Sequence, residues 1–187
     1  MTHEQALRQC RAQVREFLGQ VAGLGEKLRV LLVQTPGSLE FEPAVVRRFF
    51  AALVAAAPCH IVCEPRHVSW FSSSAEDTLR RYGIGRVAAD PAKVPWASEP
   101  GGAGSLIYYR LHGSPKMYYS AYTAEYLKGL SEEVRFPDAE CEEVWCVFDN
   151  TARHASWDNA LELQRLVGLR RPRRAPATRR RSFPPLH

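Results

Sequence analysis

Five short β-rich runs alternate with helical segments over most of this chain, and that alternation constrains its fold more than any other feature. The runs are Arg29–Gln34 (RVLLVQ), Cys59–Glu64 (CHIVCE), Arg86–Asp90 (RVAAD), Leu106–Leu111 (LIYYRL) and Val144–Asp149 (VWCVFD). Each is too short for a helix and is bounded by Gly, Pro or charged residues, so each reads as a buried strand. The helical segments are Thr2–Val21, Pro43–Ala57, Ser74–Tyr82, Thr123–Val134 and Ser156–Val167. In the first, Ala6, Cys10, Val14, Phe17, Leu18 and Val21 form one apolar stripe. The second opens with Pro at a first helical position. The third starts with a Ser cap and stops at Gly83, and the last stops at Gly168.

A helix followed by repeated strand–helix units implies a parallel sheet with helices packed outside it. Two architectures fit: an open doubly wound sheet, or a TIM-type (β/α) barrel. An eight-unit barrel takes about 250 residues. Five units in 187 residues would make an incomplete one.

Composition sets the class. The chain is 45% hydrophobic and 24% charged, as expected of a globular protein. Its longest uncharged apolar run, Phe49–Ala57, is nine residues, against the roughly 20 that a spanning helix needs. MTHEQALRQC offers no basic segment leading into an apolar one, so no secretory signal and no membrane partner are expected. Five scattered cysteines without a CxxC pair argue against a zinc ribbon and suit reduced thiols in a cytoplasmic protein.

The net charge of +5 conceals two unlike parts. Residues 170–187 hold seven Arg and no acid, among Pro172, Pro176, Pro184 and Pro185, and read as a disordered basic tail. Residues 1–169 carry 18 Lys and Arg against 20 Asp and Glu, a net of −2. They are expected to form one domain, so that nucleic acid would meet the tail first.

In parallel α/β folds the ligand lies beyond the carboxyl ends of the strands. Those ends carry Gln34, Glu64 followed by Arg66, Asp90, Arg110 followed by His112, and Asp149 followed by Asn150. Side chains alternate faces along a strand, so Glu64 pairs with Arg66, and Arg110 with His112. Glu64, His112 and Asp149 are the candidates for acid/base chemistry. Gln34, Arg66, Asp90, Arg110, Asn150 and Tyr118 are the candidates for holding a ligand, the arginines suiting a carboxylate or phosphate. Tyr118 belongs to an aromatic cluster with Tyr119 and Tyr122 that could stack on a sugar or base, or form a lid. The Gly-rich stretch Pro100–Ser105 lacks GK[ST] and precedes a strand, so it reads as a flexible turn.

The segments LGEKLRVLLVQTPGSL, VCEPRHVSW, Asp90-Pro91, YYRLHG and VFDN with the downstream Asn159-Ala160 resemble, in that order, the YecE-like family, the domain-of-unknown-function family numbered 72. The resemblance spans roughly residues 2–167 and implies a TIM-type barrel with a pocket at its carboxyl face. It also implies further βα units ahead of Thr2-His3. Pro65 and Asp149 depart from the usual family residues, and the family supplies no settled reaction and no cofactor.

These readings lead to a protein binding an anionic or sugar-like small molecule with acid/base chemistry. A metal-assisted phosphodiester hydrolase using Glu64, Asp90, His112 and Asp149 is the first alternative, although no ligand spacing supports a dedicated metal site. A truncated, non-catalytic relative is the second, with self-association through open sheet edges.

Overall fold

The computed structural model describes residues 1–137 and 139–168. The basic tail and the boundary expected before it lie outside the described residues. The elements run α1 (Arg11–Val21), β1 (Val30–Gln34), α2 (Pro43–Val54), β2 (His60–Glu64), α3 (Ser73–Arg81), β3 (Gly85–Arg86), β4 (Ala88–Asp90), β5 (Gly101–Gly102), β6 (Leu106–Leu111), α4 (Ala124–Arg135), β7 (Glu143–Phe148) and α5 (Ala155–Val167).

The five expected strands are present and parallel. β1 pairs with β2 and β2 with β3, while β4 pairs with β6 and β6 with β7. The third strand is divided. It bends at Val87, whose N–H still reaches the Cys63 carbonyl at 2.9 Å, so that Gly85–Arg86 pairs backward and Ala88–Asp90 forward. The division splits the sheet into two hydrogen-bonded parts. β1 ends the first strand order and β7 the second, and the two do not pair with each other, so the sheet is open and does not close into a barrel. Arg29 and Glu143 approach to 3.3 Å across the gap, and this ion pair draws the amino-terminal ends of the two edges together.

Helix ends follow local chemistry. Pro43 opens α2. The Ser72 hydroxyl accepts from Ala75 N–H at α3, and Thr123 does the same for Tyr126 at α4. Gly168 ends α5 at φ 80°.

Three features differ from the sequence reading. The first helix begins at Arg11 rather than Thr2. Ahead of it Ala6, Leu7 and Gln9 adopt positive φ, a turn that buries Leu7 and brings Arg8 onto Glu42. The crossover from β4 to β6 carries one 3-10 turn, Pro95–Ser98, where a helix would complete the unit. Finally, Gly101 and Gly102 form an antiparallel bridge with β3 instead of a loose turn. A Cβ at Gly101 would overlap the Arg86 guanidinium, and Gly102 sits at φ +70° against the Ile84 carbonyl.

Packing follows strand alternation. Leu31, Val33 and Ile61 face outward into Val46, Phe50, Leu53 and Leu79. Tyr109 and Leu111 face α4 and α5 through Leu127, Leu130 and Leu163. The inward set is Val30, Leu32, Val62, Val87, Tyr108, Trp145 and Val147. Continuing that inner face to the carboxyl ends of the strands leads to Gln34, Glu64, Arg110 and Asp149.

Candidate functional site

At the centre of the mouth is Glu64, with only 2% of its side chain exposed. Its Oε1 accepts from Arg66 Nε at 3.2 Å and Nη2 at 3.0 Å, and its Oε2 from Arg110 Nη1 at 2.8 Å. Gln34 lies opposite Glu64 in the β1–β2 register, and its Oε1 accepts from Arg110 at 2.7 Å and Arg66 at 3.4 Å. Arg110 Nη2 continues to Asp149 Oδ2 at 3.0 Å. Both guanidiniums are partly exposed, which leaves them open to solvent on the mouth side.

His112 completes the network. Its ring is buried between Glu64 Oε1, 3.2 Å from Nε2, and Asp149 Oδ2, 3.1 Å from Nδ1. A carboxylate can only accept, so satisfying both contacts at once requires hydrogen on both ring nitrogens. With one hydrogen, one carboxylate oxygen faces a lone pair. Asp149 is the more open of the two acids, at 32% exposed.

Burial alone would raise the pKa of Glu64. Hydrogen bonds from His112 and Arg110, with the charges of Arg110 and Arg66, outweigh it and hold the carboxyl at about 2. Glu64 is therefore a fixed anion at neutral pH and a weak base. Its geometry suits orienting His112 and holding the arginines in place.

Six of the nine candidate residues thus converge: Gln34, Glu64, Arg66, Arg110, His112 and Asp149. Tyr118 joins them at the rim, its ring perpendicular to His112 with centroids 5.8 Å apart. Asp90 and Asn150 do not join. Asp90 is in register with Leu111, an outward-facing residue, and strand alternation turns its carboxylate toward the helices. There it accepts from the Tyr122 hydroxyl at 2.8 Å. That removes Asp90 from the ligand set expected for a metal-assisted hydrolase. The described residues contain no group of three or more His, Cys, Asp or Glu arranged to hold a metal ion.

Asn150 is fully buried and serves the fold beneath the mouth. Its Nδ2 donates to the Ser120 carbonyl at 3.0 Å and to Asn159 Oδ1 at 2.9 Å. Asn159 in turn clamps Tyr122, accepting from its N–H at 3.0 Å and donating to its carbonyl at 3.2 Å. The Tyr122 hydroxyl accepts from Gly113 N–H at 2.8 Å. This clamp ends one residue from His112 and one from Asp149, so it sets the relative placement of the two. Tyr122 and Asn159 were absent from the candidate set. The legible signal was a polar Asn159 four residues before Leu163, on the buried stripe of α5.

A cavity of about 490 Å³ lies beside the free edge of β1 and reaches Gln34 and Arg110 between Leu32, Phe17 and His3. Two larger hollows lie elsewhere, one between α1 and α2 and one at the amino-terminal end of β2, and neither touches the network.

The family model for the protein of unknown function DUF72 matches residues 1–182. The chain belongs to the DUF72 family. Its solved relatives include a DUF72 family protein of Thermotoga maritima, 25% identical, with a TM-score of 0.73 over 85% of this chain and 66% of that one. Two structures of a DUF72 family protein of Enterococcus faecalis, 20% and 22% identical, give TM-scores of 0.72 and 0.70. These cover 87% and 84% of this chain and 67% and 68% of those chains. The chain thus spans about two thirds of the length of these DUF72 proteins. No curated protein is significantly similar to it. The likeness supports an α/β fold with parallel strands and outer helices. No helix of the described residues is long and apolar enough to cross a membrane.

Proposed function

We propose that the mouth binds an anionic or sugar-like small molecule and moves a proton to or from it through Asp149, which His112 backs. One observation carries this reading: His112 is bracketed by Glu64 and Asp149, and the same two carboxylates hold Arg110. Buried Glu64 fixes the ring, and Asp149 faces the solvent side. An imidazole oriented by a buried acid and opening on a second group is suited to acid/base work near neutral pH. Arg66 and Arg110 supply the anion contacts, and Gln34 adds an amide that can meet a hydroxyl.

In this reading the five-stranded arc is a sector of a TIM-type barrel whose ligand lies at the carboxyl face, as is usual for that fold. All five cysteines are free, which agrees with a cytoplasmic setting. Thermal shift with inorganic phosphate, citrate and a sugar phosphate tests the binding. The expected result is stabilisation by at least one anion that Arg66→Ala abolishes. Equal stabilisation of the parent and the Arg66→Ala variant would refute the site.

A further inference from the structure

One part of the rim of the mouth carries more base than acid. Residues 1–169 are net acidic, yet the loops 65–72, 112–122 and 149–154, which follow β2, β6 and β7, hold Arg66, Lys116 and Arg153 against one acid, Asp149, whereas the loop after β1 holds Glu40 and Glu42. Lys116 and Arg153 gather at one place. Lys116 Nζ lies 4.3 Å from the centre of the Tyr119 ring and the Arg153 guanidinium 6.0 Å from it. Neighbouring Tyr118 is 40% exposed, with its ring perpendicular to that of the buried His112.

Tyr118 is also held in an unusual conformation. Its φ is +68°, a region that residues with a side chain adopt rarely. Hydrogen bonds on both sides maintain it: Tyr118 N–H donates to the His112 carbonyl, and Ala152 N–H donates to the Tyr118 carbonyl at 3.0 Å. A residue kept in that region by its surroundings, beside a charged network, points to a functional constraint. The constraint places an exposed aromatic ring next to His112, which shares Glu64 with Arg66 and Arg110, and one residue from Tyr119, which Lys116 and Arg153 approach.

We infer that this mouth takes a nucleoside phosphate, free or as part of a single strand, with its base stacked on Tyr118. The inference rests on the anion-binding reading above and names the class of ligand. Arg66 and Arg110 receive one phosphate. Every base offers a face to an aromatic ring, so the stacking is tolerant of sequence. Lys116 and Arg153, gathered at the adjacent Tyr119, would meet the next phosphate of a strand.

Calorimetry on the full chain separates the possibilities, using adenosine 5′-monophosphate, ribose 5-phosphate, inorganic phosphate and a short single-stranded oligonucleotide. The expected result is that the nucleotide binds at least tenfold more tightly than ribose phosphate, and that Tyr118→Leu collapses this preference. A circular-dichroism melt of Tyr118→Leu checks that the variant is folded, and Tyr118→Phe should restore the preference. An oligonucleotide that binds more tightly than the mononucleotide, with the difference lost in the Lys116→Glu/Arg153→Glu double variant, supports a strand as the source. Equal affinity supports a free nucleotide. Ribose phosphate binding as tightly as the nucleotide overturns the inference while leaving the anion reading standing. Absence of binding by all four probes overturns both.

Discussion

Asn150 Nδ2 donates to Asn159 Oδ1 over 2.9 Å, and this buried contact joins the residue after Asp149 to the helix that clamps Tyr122. The acceptor is shared with the backbone N–H of Tyr122, so one side chain holds two elements. Asn159→Leu would leave both Tyr122 backbone groups unpaired in a buried site, while the Asn150 amide would keep the Ser120 carbonyl as its one acceptor. Each such loss costs about 1–3 kcal/mol. The expected outcome is destabilisation of roughly 2–4 kcal/mol in urea unfolding. A change below about 0.5 kcal/mol, the usual size for a surface position, would show that the clamp does not bear on the fold.

Acid stability follows from Glu64. Its folded pKa of about 2 lies below the ordinary 4.5, so the native state favours the ionised form. That contribution is complete above about pH 5 and is lost as the pH falls toward 2, on the order of 3 kcal/mol in all. Unfolding free energies measured between pH 6 and 3 should fall steeply for the parent chain. In Glu64→Gln the slope should flatten. An identical slope would mean that the carboxylate is not held by Arg110, Arg66 and His112.

Much of the site was legible because strand alternation is a rigid rule. Once Gln34, Glu64, Arg110 and Asp149 stand at the ends of parallel strands, they share a face if the register aligns them, and it does. The same rule explains why Asp90 departs. The third strand divides at Val87, and the part that carries Asp90 takes its register from β6, where position 90 matches outward-facing Leu111. No pattern in RVAAD marks that bend. Asn150 differs for another reason: an Asn after a strand suits a ligand or a backbone clamp equally well, and here its amide nitrogen is taken by Ser120 and Asn159. The parallel units could be read from periodicity, but sheet closure depends on strands pairing at β1 and β7, a relation no local pattern encodes.

The β5 ribbon makes its own prediction. Gly102 lies at φ +70° and leaves no room for a Cβ against the Ile84 carbonyl. Gly102→Ala should destabilise by more than the roughly 1 kcal/mol that separates Gly from Ala in ordinary positions. A neutral substitution, read from the melting temperature, would show that the bridge to β3 contributes little.

The open edges β1 and β7 present unpaired backbone groups, and exposed edges invite pairing with another chain. We propose that the chain self-associates through them. Sedimentation velocity at increasing protein concentration should show growth beyond the monomer. A monodisperse, cooperatively melting monomer at micromolar concentration would mean that the edges are protected, with the Arg29–Glu143 ion pair as the first candidate for that protection.

The most direct test of an anion held beside His112 is a titration with inorganic phosphate followed through the ring resonances of that histidine by nitrogen-resolved NMR. Arg66 and Arg110 contact the same carboxylate as His112, so a bound anion must disturb the ring. The account predicts a saturable shift of the His112 signals that Arg66→Ala removes, with the signals of His60, at the opposite end of β2 from Glu64, unmoved. Signals of His112 that stay fixed while phosphate rises through the millimolar range would contradict it.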